Sequence, residues 1–495
     1  MNLLEPIQRQ VRAHPDRPAI VSDGTTLTYR ELWTRVRQVA ARLHDEGIRR
    51  GDCVAVSGLI PRGRVVLLLA LARIGASSIA IQTSMPRATR ELLFAQSNSV
   101  AWVAREEFDQ EGAAPRRIAA ESLFNTVSSL KPPAQESGLQ DAVWRIALSS
   151  GTTGANKCIP WTHGEIAHSQ QLSMATYPGG PRERLMIVVD LNLNYALVHA
   201  LRQLSAGGAV IFPTTLDPTD VVESIQRDRP TRMVSTPSVI GALATHLASL
   251  PQAIEFDSLL SVMLGGGVVV PKLRVQLERR LCPDIIVIYG STEMASVARA
   301  DSAIALEYPA STGRLMPWIE AQAQDEQGQL LPPGQIGTLR FRAPAMARGY
   351  LGNPEATAAA FRDGWFCPGD KGSIDATGIL TLGGRTDDVL NLNGLKIDPA
   401  TVESVLDSHE AVHESAVTAV RDGRGRDILA LLVVAEHALS AADQESICEQ
   451  LYEAIGVRYP HIRVVPVSEL PRTPVGKLAR SKLPALAVQT QVSTT

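Results

Sequence analysis

From about residue 28 to residue 288 the chain repeats one pattern: an apolar run of strand length, then a stretch with apolar residues at helical spacing. Thr28-x-x-Glu31 forms a capping box, after which Leu32, Val36, Val39, Ala40 and Leu43 mark one buried helical stripe. Asp52 to Ser57 reads as a buried strand, Val65 to Ile74 as an apolar helix and Ser78 to Ile81 as the next strand. Met186 to Asp190, Gly208 to Phe212, Arg232 to Ser235, Ser261 to Leu264 and Ile285 to Ile288 continue the series. Such alternation predicts an α/β fold with mostly parallel sheets and helices on both faces. Ligands of such folds sit beyond the carboxyl ends of the strands.

From about residue 310 the texture changes to short strands separated by turns such as Glu326-Gln327-Gly328, Pro332-Pro333-Gly334 and Asp375-Ala376-Thr377-Gly378. Beyond Gly383-Gly384-Arg385-Thr386-Asp387-Asp388 a small α+β pattern begins, with helices near 399 to 408 and 440 to 455 and an apolar strand from Ile428 to Ala435. The expected organisation is a large domain over 1–386, β-rich from about 310, and a small α+β domain over 387–495. His409-Glu410-Ala411-Val412-His413 spells H-E-x-x-H, a zinc pattern when both histidines share a helical face. Here the helix ends near Asp407 and a strand pattern begins at Val412, so zinc is not expected.

The 495 residues exceed the size at which one core keeps growing, in line with two domains. A formal charge of −3 gives no reason to expect nucleic acid or an anionic membrane as partner. Five scattered cysteines without a C-x-x-C pair suggest neither a disulfide framework nor a zinc knuckle. The opening residues Met1 to Pro6 lack the features of a signal peptide, and no apolar run is long enough to span a bilayer. A cytoplasmic enzyme acting on a small substrate is the expectation.

One polar stretch interrupts the pattern. Leu148-Ser149-Ser150-Gly151-Thr152-Thr153-Gly154-Ala155-Asn156-Lys157 lies between the apolar runs Val143 to Leu148 and Cys158 to Trp161. Its glycines let the backbone approach a ligand, and its hydroxyls, N–H groups and lysine suit a polyphosphate. The Walker spacing fails, because Cys158 follows Lys157. The loop reads as a link from strand to strand, with the next helix starting at the capping box Thr162-x-x-Glu165.

Four more stretches carry chemistry, and each taken alone has an ordinary structural explanation. Tyr289-Gly290-Ser291-Thr292-Glu293 offers an aromatic face, hydroxyls and a carboxylate able to hold Mg²⁺ beside a phosphate; alone it would be a strand-to-helix turn. Gly364 to Asp370 places an acid after a tight turn, where it could accept both hydroxyls of a ribose or close an Asx turn. Gly384-Arg385-x-Asp387-Asp388, followed by Gly394-x-Lys396, suits a hinge or a solvated linker. Pro471-Arg472-Thr473-Pro474-Val475-Gly476-Lys477 carries a lysine on a Gly/Pro loop, where most lysines are solvated.

In this order the five stretches resemble the adenylate-forming superfamily of acyl-CoA synthetases, nonribosomal peptide adenylation domains and firefly luciferase, over nearly the whole chain. The family's phosphate loop, S/T-S-G-S/T-S/T-G-x-P-K, matches at Ser149 to Lys157 with Asn156 in the proline position. Y-G-x-T-E matches at Tyr289 to Glu293, and G-W-x-x-T-G-D at Gly364 to Asp370 with Pro368 for threonine. The hinge G-R-x-D/K-D matches at Gly384 to Asp388 and P-R/K-T-x-x-G-K at Pro471 to Lys477.

The resemblance implies ATP and Mg²⁺ as cofactors and a role for each position. Ser149, Ser150, Gly151, Thr152, Thr153, Gly154 and Lys157 would form the phosphate loop, with Thr152, Thr153 and Lys157 on the β- and γ-phosphates. Thr292 would hold the α-phosphate, Glu293 the Mg²⁺ and Tyr289 the adenine, with Gly290 and Ser291 in the same turn. Gly265, Gly266 and Gly267 would line the acid and adenine pocket, Asp370 and Arg385 would bind ribose, and Lys477 would bridge the carboxylate and the α-phosphate. Asp387 would be the hinge about which the small domain rotates for the second half-reaction, bringing Gly394 to a thiol tunnel.

Leu191 to Leu197 is similar to the H-N-Y-P-L segment of aryl-acid-activating enzymes, with Leu193 in place of histidine. Asn194 stands where α-amino-acid adenylation domains carry an aspartate, so with Tyr195 it implies a small aromatic or otherwise uncharged carboxylic acid. No carrier domain or phosphopantetheine attachment motif follows in the chain, which leaves CoA as the first-ranked acceptor. The phosphopantetheine of a separate carrier protein ranks second and an amine third. A noncatalytic nucleotide-binding relative is the reading from another class, and intact Lys157, Glu293, Asp370 and Lys477 speak against it.

Overall fold

The computed structural model describes the chain except residues 1, 106–113, 125–132, 151–155, 178, 253, 387, 393–394, 422–425, 436, 456–458, 460, 474–476 and 490–495. Two compact units emerge: Met1–Pro309 with Gly313–Glu320 and Arg342–Phe366, and Ala310–Thr312 with Ala321–Phe341 and Cys367–Thr495.

The first unit holds two twisted sheets. One is six-stranded, in the order Arg116–Ala119, Ser99–Ala104, Cys53–Val56, Ser77–Ala80, Val143–Ser150, Asn156–Thr162, parallel except for the last strand. In the other, Pro18–Ser22, Ala209–Phe212, Arg184–Val188, Arg232–Ser235, Ser261–Gly265 and Asp284–Ser291 run parallel, and Ala295–Ala300 returns antiparallel. The alternation read from the sequence thus divides between two sheets. Pro18–Ser22 joins the second one, pairing Ile20 with Val210 across nearly two hundred residues of chain.

Local chemistry sets the element ends. Thr28 Oγ1 accepts from Glu31 N at 3.2 Å while Thr28 N donates to Glu31 Oε2 at 2.8 Å, which starts the helix Tyr29–Asp45. Thr162 and Glu165 repeat the reciprocal pair at 3.1 and 2.9 Å and start His163–Thr176. Leu32, Val36, Val39, Ala40 and Leu43 are all buried, as their spacing predicts. Helix Pro61–Ile74 is buried on nearly every face, which explains its unbroken apolar run.

In the second unit Gly337–Arg342, Asp370–Ile374 and Ile379–Arg385 pair antiparallel, and Val412–Arg421, Asp427–Ala435 and Ile462–Pro466 form a three-stranded sheet. Along Asp427–Ala435 the side chains alternate between two cores. Leu429, Leu431 and Val433 pack with Val402, Leu406, Ile447 and Leu451, while Ala430 and Leu432 pack with Leu483 and Ala487. Both faces are covered, hence the continuous apolar run. The helix Pro399–Leu406 ends before His409, whose Nε2 lies 3.2 Å from Ser446 Oγ and whose Nδ1 accepts from Ala411 N, and His413 sits on the following strand. The two imidazoles therefore share no helical face.

None of the five cysteines is in a disulfide, and burial pushes Cys158 up to about 11 and Cys282 up to about 12. No helix among the described residues is long and apolar enough to cross a membrane.

Candidate active site

The phosphate-loop candidate is a hairpin, with Ser149 opposite Lys157 and Ser150 opposite Asn156. Its tip, Gly151, Thr152, Thr153 and Gly154, lies outside the described residues. Trp161, on the second strand, is 1% exposed and donates from Nε1 to the carbonyl of Thr292 at 3.1 Å. That bond ties the six-stranded sheet to the end of Asp284–Ser291, where the Tyr289-to-Glu293 stretch lies.

The stretch is a strand-to-strand hairpin and not the strand-to-helix turn that its residues alone suggest: Tyr289 pairs with Ala298, Gly290 with Ser296 and Ser291 with Ala295. Glycine is required at 290, because a Cβ there would lie 1.9 Å from the carbonyl oxygen of Ala295. Ser291 Oγ accepts from Met294 N at 3.2 Å and closes the turn, which leaves Glu293 buried at 6% exposure.

A residue absent from the sequence reading joins these pieces. Tyr350 Oη donates to Glu293 Oε1 at 3.0 Å, and Lys157 Nζ stands 4.8 Å over the centroid of the same ring. Ala347 N donates to the Glu293 carbonyl and Leu351 N to the Cys158 carbonyl, both at 2.8 Å. The Ala347-to-Leu351 segment thus stitches both hairpins together, so Lys157, Thr292 and Glu293 converge at the carboxyl ends of strands. Only the tyrosine in Ala347-Arg348-Gly349-Tyr350-Leu351 could have drawn notice beforehand, and nothing in its periodicity sets it apart.

Asn194 and Tyr195 open the helix Asn194–Ser205. Tyr195 Oη donates to Met263 O at 3.3 Å, and a Cβ on Gly265 would fall 2.8 Å from Tyr195 Cζ, so the bare Gly265 backbone makes room for the ring. Gly266, at φ +87°, and Gly267 follow in the bend after that strand. The turn before the helix is held by two buried arginines. Arg145 Nη2 donates to Asn192 O at 2.9 Å, Arg64 bonds Asn192 Oδ1, and burial followed by the neighbouring Arg64 charge pulls Arg145 down to about 9.

In the second unit Asp370 and Arg385 face one another across paired strands, with Arg385 Nη1 3.4 Å from Asp370 Oδ1. Arg385 Nη2 donates to Pro368 O, and Thr386 N and Oγ1 both donate to Gly369 O, each at 2.8 Å. These bonds close the turn that carries Asp370. Lys477 is exposed, in a loop where Thr473 N donates to Lys477 O at 2.7 Å and Lys477 N to Thr473 Oγ1 at 3.2 Å. Asp387 and Gly394 lie outside the described residues.

The donor set suits a nucleotide polyphosphate and Mg²⁺. One buried carboxylate, Glu293, fits a hard cation that keeps most of its coordination for water and phosphate oxygens, and Lys157 adds a cation beside it.

The chain is similar to known proteins over nearly its whole length. A family model described as AMP-binding enzyme matches residues 7–351, and one described as AMP-binding enzyme C-terminal domain matches residues 401–477. Feruloyl-CoA synthase of an Amycolatopsis species is 28% identical over 484 residues, covering 96% of this chain and 97% of its own length. The 2-succinylbenzoate–CoA ligase of Listeria monocytogenes is 26% identical over 492 residues, covering 96% and 98%. The solved o-succinylbenzoate CoA synthetase of Bacillus subtilis, in complex with its acyl-adenylate intermediate, superposes with a TM-score of 0.84 at 23% identity over 97% of each chain. With both family models matched in order, the chain belongs to the family of AMP-binding enzymes.

Proposed function

We propose that the protein is an ATP-dependent carboxylate ligase that adenylates a small aromatic or otherwise uncharged acid, releases pyrophosphate and passes the acyl group to CoA. The observation that carries this reading is the Tyr350 node, which holds a buried carboxylate and a lysine together at the carboxyl ends of the strands. The relatives named above as CoA ligases of aromatic acids support the choice of acid and acceptor.

In the first half-reaction an oxygen of the acid attacks the α-phosphorus and the bond to pyrophosphate breaks. Two anions must meet, so their charge has to be neutralised and their geometry fixed. Lys157 with Thr152 and Thr153 of the phosphate loop takes the β- and γ-phosphates, Thr292 positions the α-phosphate, and Tyr289 packs on the adenine. Asp370 and Arg385 bind the ribose, while Gly265, Gly266 and Gly267 with Asn194 and Tyr195 line the acid pocket. Lys477, from the small domain 387–495, supplies the cation between carboxylate and α-phosphate. Mg²⁺ held by Glu293 would offset the charge that builds on the leaving pyrophosphate. In the second half-reaction a thiol attacks the acyl carbon and AMP leaves, with Asp387 as the hinge and Gly394 at the thiol's path.

The test is pyrophosphate release across a panel of carboxylic acids, repeated with CoA, pantetheine and simple amines. Aromatic acids with CoA should give acyl-CoA and AMP. Turnover only with an α-amino acid would overturn the assignment of Asn194, and product formed only with amines would replace thioester by amide formation.

A further inference from the structure

Behind Tyr195 the first unit buries polar groups that no other described residue satisfies. Tyr195, His199 and Arg202 follow one face of the helix Asn194–Ser205, spaced i, i+4 and i+7. The His199 ring meets Tyr195 edge-on at 4.8 Å between centroids. His199 is 5% and Arg202 3% exposed. Among the described residues, His199 Nδ1, Arg202 Nε and Nη1, Asn194 Oδ1 and the Tyr177 hydroxyl are buried without a hydrogen-bond partner. Arg202 and Arg299 both stand on the Tyr177 ring, at 5.3 and 5.1 Å.

The charges do not balance locally. The two neighbouring carboxylates are engaged elsewhere, Glu183 with Arg232 at 3.0 Å and Asp301 with Arg299 at 3.2 Å. Burial, and then the Arg202 charge, holds His199 well below the usual imidazole range, so it is neutral. Burial pulls Arg202 down only to about 10, so it keeps its charge at neutral pH. A buried guanidinium with unmade hydrogen bonds is costly unless an acceptor completes it.

Resting on the function proposed above, we infer that Arg202, with His199 and Tyr177, binds an oxygen substituent at the end of the substrate acid remote from its reacting carboxyl. Arg202 lies seven residues beyond Tyr195 along the helix, a span of about 10 Å along the axis, which is the length of a substituted aryl acid. The substituent is a ring hydroxyl or a second carboxylate, either of which accepts from Arg202 and meets His199 and Tyr177. The aromatic acid thereby acquires a polar far end, and Arg202 becomes a specificity-determining residue.

The test is acid-dependent ATP–pyrophosphate exchange with matched acids: cinnamate, 4-hydroxycinnamate and 4-carboxycinnamate, with benzoate and its 3- and 4-hydroxy and carboxy forms. The wild type should prefer an oxygen-bearing acid over its parent by at least about tenfold in kcat/KM, because a site built for that group leaves its donors unpaired with the parent. In Arg202→Met that ratio should fall to about 1, through KM rather than kcat, and Arg202→Lys should restore it in part for the carboxylate-bearing members. Equal loss with parent and substituted acids in Arg202→Met would mark the residue as merely structural and overturn the inference. So would a wild type that favours the unsubstituted parents, a result that decides the matter even if the variant does not fold. Exchange with parents but no preference refutes the inference alone, whereas no exchange with any acid refutes the proposed function and the inference with it.

Discussion

At the scale of single residues, Tyr350 touches both Glu293 and Lys157. Tyr350→Phe removes the 3.0 Å hydrogen bond to Glu293 and keeps the ring beneath Lys157. A hydrogen bond to a charged group contributes about 1.5–3 kcal/mol, so exchange should fall about tenfold or more and need more Mg²⁺. Unchanged exchange and Mg²⁺ dependence would remove Tyr350 from the site. His163 tests a different property. It is fully buried, its Nδ1 lies 3.1 Å from Asn2 Oδ1, and burial pulls it down to about 4. The folded state therefore prefers the neutral ring. Its contribution is complete above the unfolded value near 6.5 and is lost as pH falls toward about 4, a span of about 3 kcal/mol. Denaturant unfolding of His163→Gln should show a shallower loss of stability between pH 6.5 and 4 than the wild type, and an identical slope would contradict the assignment.

At the scale of elements, the hairpin after Asp284–Ser291 depends on a glycine where two strands nearly touch. Gly290→Ala puts a methyl 1.9 Å from the Ala295 carbonyl oxygen, and backbone there cannot give way as a flexible side chain would. The expected result is loss of exchange together with a melting temperature lowered by several degrees, since backbone strain and lost packing cost about 1–3 kcal/mol. A variant of wild-type stability and activity would show that the hairpin tolerates a wider gap. Elements of this kind were unevenly legible in the sequence. Both capping boxes, the buried stripe of Tyr29–Asp45 and Arg232–Ser235 could be read directly, because each is specified by neighbours within a few residues. The split into two sheets could not, because the pairing of Ile20 with Val210 is a long-range choice that local periodicity does not encode. The Tyr289-to-Glu293 stretch resembles a strand-to-helix turn locally, and only the return strand Ala295–Ala300 makes it a hairpin. Tyr350 escaped notice for the same reason: its partners come from two hairpins distant in sequence.

At the scale of the whole molecule, one compact unit carries Lys157, Thr292 and Glu293 and the other carries Asp370, Arg385 and Lys477. The motifs read from the sequence place only Lys477 in the small domain 387–495 and leave Asp370 and Arg385 in the large domain 1–386, whereas the compact units group all three. Lys477→Ala should lower adenylate formation by about 10²–10³, the usual effect of removing one group that stabilises developing charge. Turnover of supplied acyl-adenylate should survive, and equal loss of both steps would refute the assignment of Lys477 to the first step alone. An acid is expected to be joined to AMP before any acceptor takes part. Acid-dependent ATP–pyrophosphate exchange, measured with Mg²⁺ and with neither CoA nor amine present, tests it most directly. Robust exchange with an aromatic acid and none without acid is the expected result; exchange that appears only when an acceptor is added would contradict adenylation as the first step.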